Sequence, residues 1–136
     1  MIAFFFLSAW ASPNQSLGSN PVVVAAGSSN TTLFTAPSDQ IILISDIILS
    51  ATGHNGGLTS CVSHIQILLS SGTVIGDFRL MADGNDQHAV GSQHSPSNIS
   101  HSFRAGLPIP VSQSASISIS GNCSVSYTIA GYHAQP

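Results

Sequence analysis

From Pro21 onward the chain is a succession of short apolar runs alternating with polar residues at a period of two, broken by Gly, Pro, Asn and Ser. Serine recurs between apolar neighbours, as in Ala115-Ser116-Ile117-Ser118-Ile119. In an extended strand that alternation puts apolar side chains on one face and hydroxyls on the other. Nowhere do apolar residues recur at helical spacing, so no significant helix is expected. Strands are predicted at residues 22–26, 32–35, 41–50, 61–69, 74–80, 99–103, around 109, at 115–119 and at 123–129. About eight short antiparallel strands with turn signals and no helix indicate an all-β sandwich, best fitted by a jelly-roll-like arrangement. Greek-key sandwiches of other connectivity remain open.

Register arguments place two hairpins. Residues 61–69 are mostly apolar at odd positions and 74–80 at even positions. A two-residue turn at Ser71-Gly72 then sets Leu69 opposite Val74, Ile67 opposite Gly76 and Ile65 opposite Phe78. His64, Gln66, Asp77 and Arg79 fall on the other face. In the second pair, residues 115–119 and 123–129, both strands are apolar at odd positions. A three-residue loop, Ser120-Gly121-Asn122, pairs Ile119 with Cys123, Ile117 with Val125 and Ala115 with Tyr127, with Asn122 taking a left-handed backbone. The turn Ala36-Pro37-Ser38-Asp39 joins two of the earlier strands.

One strand breaks the alternation. Ile41-Ile42-Leu43-Ile44-Ser45-Asp46-Ile47-Ile48-Leu49 is apolar on both faces. One face meets the core and the other needs a cover. The second set, Ile42, Ile44 and Ile48 or else the odd-numbered residues, is expected to meet another copy of the chain in a homo-oligomer or filament.

The N-terminus carries a different pattern. Residues 1–11 hold the apolar run Ile2-Ala3-Phe4-Phe5-Phe6-Leu7 followed by Ala9-Trp10-Ala11, which fits the end of a secretory signal with an A-x-A cleavage site. No Lys or Arg precedes the run, as in a truncated signal whose start lies upstream; a buried N-terminal strand or short helix is the alternative. The run is too short to span a membrane. Residues 12–20 read as a linker and 21–136 as a single domain.

Composition narrows the function. The 136 residues are 43% hydrophobic but only 5% charged, with Lys+Arg 2 and a formal net charge of −3. Arg79 and Arg104 are the only permanent cations, so no run of phosphates can be neutralised and nucleic-acid binding is excluded. Chemistry that needs a catalytic Lys or Glu is excluded too, because neither residue occurs. The two cysteines, Cys61 and Cys123, each begin a predicted strand on its core side, and in an exported chain they are expected to form a disulfide.

Six histidines remain: His54, His64, His88, His94, His101 and His133. His88, His94 and His101 lie in or beside a long polar loop, 82–98, with Asp83 and Asp86. Imidazole and carboxylate together suit a transition metal, and Asp83-Gly84-Asn85-Asp86 offers oxygen ligands to Ca²⁺. Yet the chain holds no HxH or HExxH and no EF-hand loop. A jelly-roll metalloenzyme of the cupin kind would show HxH followed by a glutamate, and this chain has neither. Solvated loop histidines are the favoured reading, with no cofactor. No GxSxG marks a nucleophile. Asp46, inside the apolar strand, is expected to pair with Arg79 or Arg104 or to bond the backbone. Sequons stand at Asn14, Asn30, Asn98 and Asn122.

These features rank three functions. First is an exported, non-enzymatic, self-assembling structural module, extracellular or at a cell surface, whose partner is itself. Second is a secreted sandwich binding a glycan or other small ligand. A metal-dependent jelly-roll enzyme is third and disfavoured.

Overall fold

A computed structural model describes residues 22–53, 60–82 and 97–136. They form eight strands: β1 (Val22–Gly27), β2 (Thr31–Thr35), β3 (Ile41–Thr52), β4 (Cys61–Leu69), β5 (Val74–Ala82), β6 (Ser97–Ile109), β7 (Ser114–Gly121) and β8 (Ser124–Ala134). No helix occurs among the described residues. Two four-stranded antiparallel sheets result, sheet A in the order β1-β8-β3-β6 and sheet B in the order β2-β7-β4-β5.

That order is a jelly roll. Strand β1 pairs with β8, β2 with β7, β3 with β6 and β4 with β5, so the chain is one nested antiparallel ribbon. Wrapping the ribbon over itself sends successive strands to opposite sheets everywhere except at its tip, β4–β5. Only there do sequence neighbours pair, so only the first of the two expected hairpins exists. β7 lies in sheet B and β8 in sheet A, and residues 121–123 carry the chain from one sheet to the other. The left-handed residue there is Gly121 (φ 114°), not Asn122. A Cβ on Gly121 would stand 2.3 Å from the Val62 carbonyl oxygen, so the corner closes onto β4 only with glycine.

The β4–β5 hairpin pairs Ile67 with Gly76 and Ile65 with Phe78, as the alternation requires. Its turn is longer than expected. Leu69 N donates to Thr73 O at 2.8 Å, Gly72 N donates to Leu69 O at 2.8 Å, and Gly72 takes φ 85°. This is the three-residue loop with a left-handed glycine, and it makes Ile75 an extra residue, so Leu68 rather than Leu69 opposes Val74. The predicted pieces at 99–103 and 109 join into one strand, β6.

The two-faced strand resolves through a bulge. In β3 the register slips between Ile44 and Asp46 against both neighbours: Gly131 and Ala130 of β8 oppose those two residues directly, leaving Ser45 as an extra residue. One inserted residue reverses the parity of the strand. Ile42 and Ile44 before it, and Ile47, Leu49 and Ala51 after it, therefore all face the interior. The expectation that Ile42 and Ile44 form an outward set is corrected: they are 2% and 0% exposed and belong to the core, which also holds Ile65, Ile67, Leu80, Ile109, Ile117 and Ile129. Burying each such side chain stabilises the fold by ~1.5–3 kcal/mol.

Cys61 and Cys123 are joined, with alpha carbons 5.1 Å apart. The bond ties the first residue of β4 to the crossing between sheets. Ser63, the buried polar residue beside it, accepts a hydrogen bond from Cys123 N at 3.0 Å. Asn122 is clamped by a pair of bonds, Val62 N to its Oδ1 and its own N to Val62 O. Residues 1–11 and 12–20, read as signal and linker, lie outside the described residues.

Candidate functional site

The sandwich has two outer faces of different chemistry. On sheet B the register aligns Ser120 with His64 and Arg79, and Ser118 with Gln66 and Asp77. Asp77 Oδ1 lies 2.5 Å from His64 Nε2, and Asp77 Oδ2 accepts from Gln66 Nε2 at 3.1 Å. The hydrogen bond from His64, then that from Gln66, holds the Asp77 carboxyl below the ordinary carboxylate range. This polar centre is flanked on the same face by exposed Val62 and Met81.

Sheet A has fewer charged groups at its centre. Its outward rows run Val22, Tyr132, Leu43, Pro108; then Val24, Ala130, Asp46, Ser102; then Ala26, Thr128, Ile48, Ser100. Val22 is 67% exposed, Val24 62% and Ile48 51%. Asp46 is the one carboxylate in those rows.

The bulge that packs β3 also shapes this face. Opposite Ser45, residues 103–106 of β6 fall between the pairs Asp46–Ser102 and Ile44–Leu107 and loop away from the ladder. The result is a groove of about 400 Å³ between Val22, Ser45, Asp46, Ser102, Phe103 and Tyr132. Its carboxylate accepts the Ser102 hydroxyl at 2.5 Å and the Ser45 hydroxyl at 2.7 Å. Both bonds favour the ionised form, Ser102 most, and together they hold the Asp46 pKa below its usual value. Neither arginine is its partner, contrary to expectation: Arg79 projects from sheet B and Arg104 lies in the looped-out stretch of β6. An acceptor-only carboxylate with spare lone pairs, flanked by Tyr132 and Phe103, can receive hydroxyl or amine donors while the rings meet apolar surface.

Of the metal candidates, Asp83, Asp86, His88 and His94 lie outside the described residues. His101 is exposed on β6, edge-on to Phe103 with ring centroids 4.5 Å apart. Among the described residues no three of His, Cys, Asp or Glu gather where an ion could sit. Two sequon asparagines hold main chain: Asn122 bonds Val62 N, and Asn30 Oδ1 accepts from Ile119 N at 2.7 Å. Asn98 lies exposed on β6 and Asn14 is outside the described residues. The groove was not foreseen from sequence. Its signal was the polar pair Ser45-Asp46 interrupting an apolar run.

No family model matches the chain, and no curated protein matches it significantly. Among solved structures it is similar to a chain from infectious bursal disease virus, Gx strain, with 19% identity and a TM-score of 0.25. The match covers 83% of this chain and 29% of that one. A chain from the Gt strain of the same virus shows 13% identity and a TM-score of 0.25, over 85% of this chain and 35% of that one. The chain thus spans about a third of the solved chains it matches. Similarity at this level says nothing about activity or partners.

Proposed function

We propose that the chain is an exported, non-enzymatic structural module that assembles with copies of itself through the outer face of sheet A. The observation that carries this reading is the set of exposed apolar side chains on the outer face of sheet A. Sheet A exposes Val22, Val24 and Ile48 around one carboxylate, whereas the middle of sheet B carries serines and the His64–Asp77–Gln66 cluster between Val62 with Met81 at one end and Val74 at the other. Exposed large apolar side chains gathered on one face mark contacts. A net charge of −3 on 136 residues leaves little repulsion between copies. The Cys61–Cys123 bond supports export, since disulfides persist in oxidising compartments. Of the three isoleucines first assigned to the interface, only Ile48 points outward, on the same face as Val22 and Val24.

Sedimentation velocity over a range of concentrations tests the reading. The wild type should sediment as oligomers and Ile48→Asp should shift to smaller, folded species. A wild type that stays monomeric at the highest concentration would overturn it.

A second reading rests on the groove. Asp46 beside Tyr132 and Phe103 suits a polyhydroxylated ligand such as a hexose, with sugar hydroxyls donating to the carboxylate and a ring face against the aromatics. NMR titration with free monosaccharides should then move Asp46, Ser102 and Tyr132 resonances, and Asp46→Asn should abolish the shifts.

A further inference from the structure

A jelly roll leaves four strand edges, here β1 and β6 in sheet A and β2 and β5 in sheet B. Each presents unpaired backbone N–H and C=O groups, and soluble proteins blunt such edges with bulges, charges or proline. Three of the four are blunted. β2 slips register between Thr32 and Phe34. β5 carries the extra residue Ile75 together with Asp77 and Arg79. β6 loops out at residues 103–106 and carries Arg104 and Pro108.

β1 has none of these devices. Val22-Val23-Val24-Ala25-Ala26-Gly27 pairs with β8 in unbroken register over all six residues, with no charge, proline or bulge. Its valines are strong strand formers. Among the described residues, its other side has no strand beside it.

We infer that β1 is a homotypic docking strand, pairing antiparallel with β1 of a second copy so that two four-stranded sheets become one sheet of eight. This rests on the self-assembly reading and adds to it a second contact, made by backbone rather than by an apolar face. The occupant is a copy because the strand is neutral and can meet itself: a two-fold axis brings no like charges together. Parity fixes the register. Outward residues meet outward residues only when even positions pair with even ones. The register that pairs five residues of β1, 22–26, and keeps all three valines in the ladder places Val24 on the axis, opposite the partner's Val24, with Val22 opposite the partner's Ala26. Val22 and Val24 of the two copies then form one outward patch across the seam.

Cysteine cross-linking reads this register directly. The chain's two native cysteines are joined to each other, so Val24→Cys supplies the sole free thiol. Opposed residues of an antiparallel pair have alpha carbons about 4.5–5.5 Å apart, within disulfide reach. Mild oxidation of the full chain should convert Val24→Cys into a covalent dimer. Ala26→Cys alone should remain largely monomeric, and the Val22→Cys/Ala26→Cys double variant should cross-link. Adding Ile48→Asp should leave the Val24→Cys cross-link intact, because Ile48 lies two strands away from the seam. If the wild type assembles but Val24→Cys cross-links no faster than it does in urea, the edge contact is wrong and the face contact stands. If the wild type is monomeric throughout and Val24→Cys does not cross-link, both are wrong.

Discussion

Ile44 and Ile48 lie four residues apart in one strand, on the same parity, and a regular strand would put them on the same face. The bulge at Ser45 separates them: Ile44 is 0% exposed and Ile48 51% exposed. Truncating each to alanine therefore has unequal consequences. Ile44→Ala removes buried carbon from a packed interior and leaves a cavity, destabilising by ~2–5 kcal/mol. That is a large share of a typical total of ~5–15 kcal/mol. With a urea dependence of ~1–3 kcal/mol per molar, the midpoint should fall by at least ~0.7 M. Ile48→Ala removes a side chain already half in water and should change stability by no more than about 0.5 kcal/mol. Urea unfolding followed by circular dichroism, with the disulfide intact and the protein dilute enough to be monomeric, measures both. Equal losses, or a larger loss at Ile48, would refute the parity reversal and with it the corrected interface.

Further consequences can be checked on the same protein. Deleting Ser45 removes the extra residue while keeping Ile42, Ile44, Ile47 and Leu49 on one face, so the variant should fold; deleting Ile48 turns Leu49 outward and should not fold, as proteolysis and circular dichroism would report. Reducing Cys61–Cys123, which spans a sequence separation of 62, should lower stability by ~4 kcal/mol in urea titrations under matched conditions. Ser102→Ala removes the larger of the two hydrogen bonds on Asp46, so the carboxyl should titrate at higher pH by ¹³C NMR. Because its folded pKa lies below the unfolded value, Asp46 adds stability above about pH 4 that is lost as pH falls through the folded pKa. Ser102→Ala should make that acid loss smaller.

Much of the fold was legible because strand alternation is a local property. Period-two patterning marked all eight strands, their approximate bounds and the core side of β4, β5 and β7. It also placed His64, Gln66, Asp77 and Arg79 together on one face, since a hairpin joins neighbours in sequence. The disulfide followed from two cysteines on core-facing positions in a chain of this composition. Two things were decided only in three dimensions. β7 and β8 read as a hairpin from their spacing and alternation, yet each found a better partner across the nested ribbon, because turn length and parity do not say which sheet a strand enters. In the same way, residues 41–49 looked two-faced because periodicity assumes that a strand stays in register. A single inserted serine reversed the parity, buried Ile42 and Ile44, and formed the Asp46 groove against residues of β6 and β8 that are distant in sequence. A bulge exists only relative to the strands beside it, and no pattern within one strand can specify those neighbours.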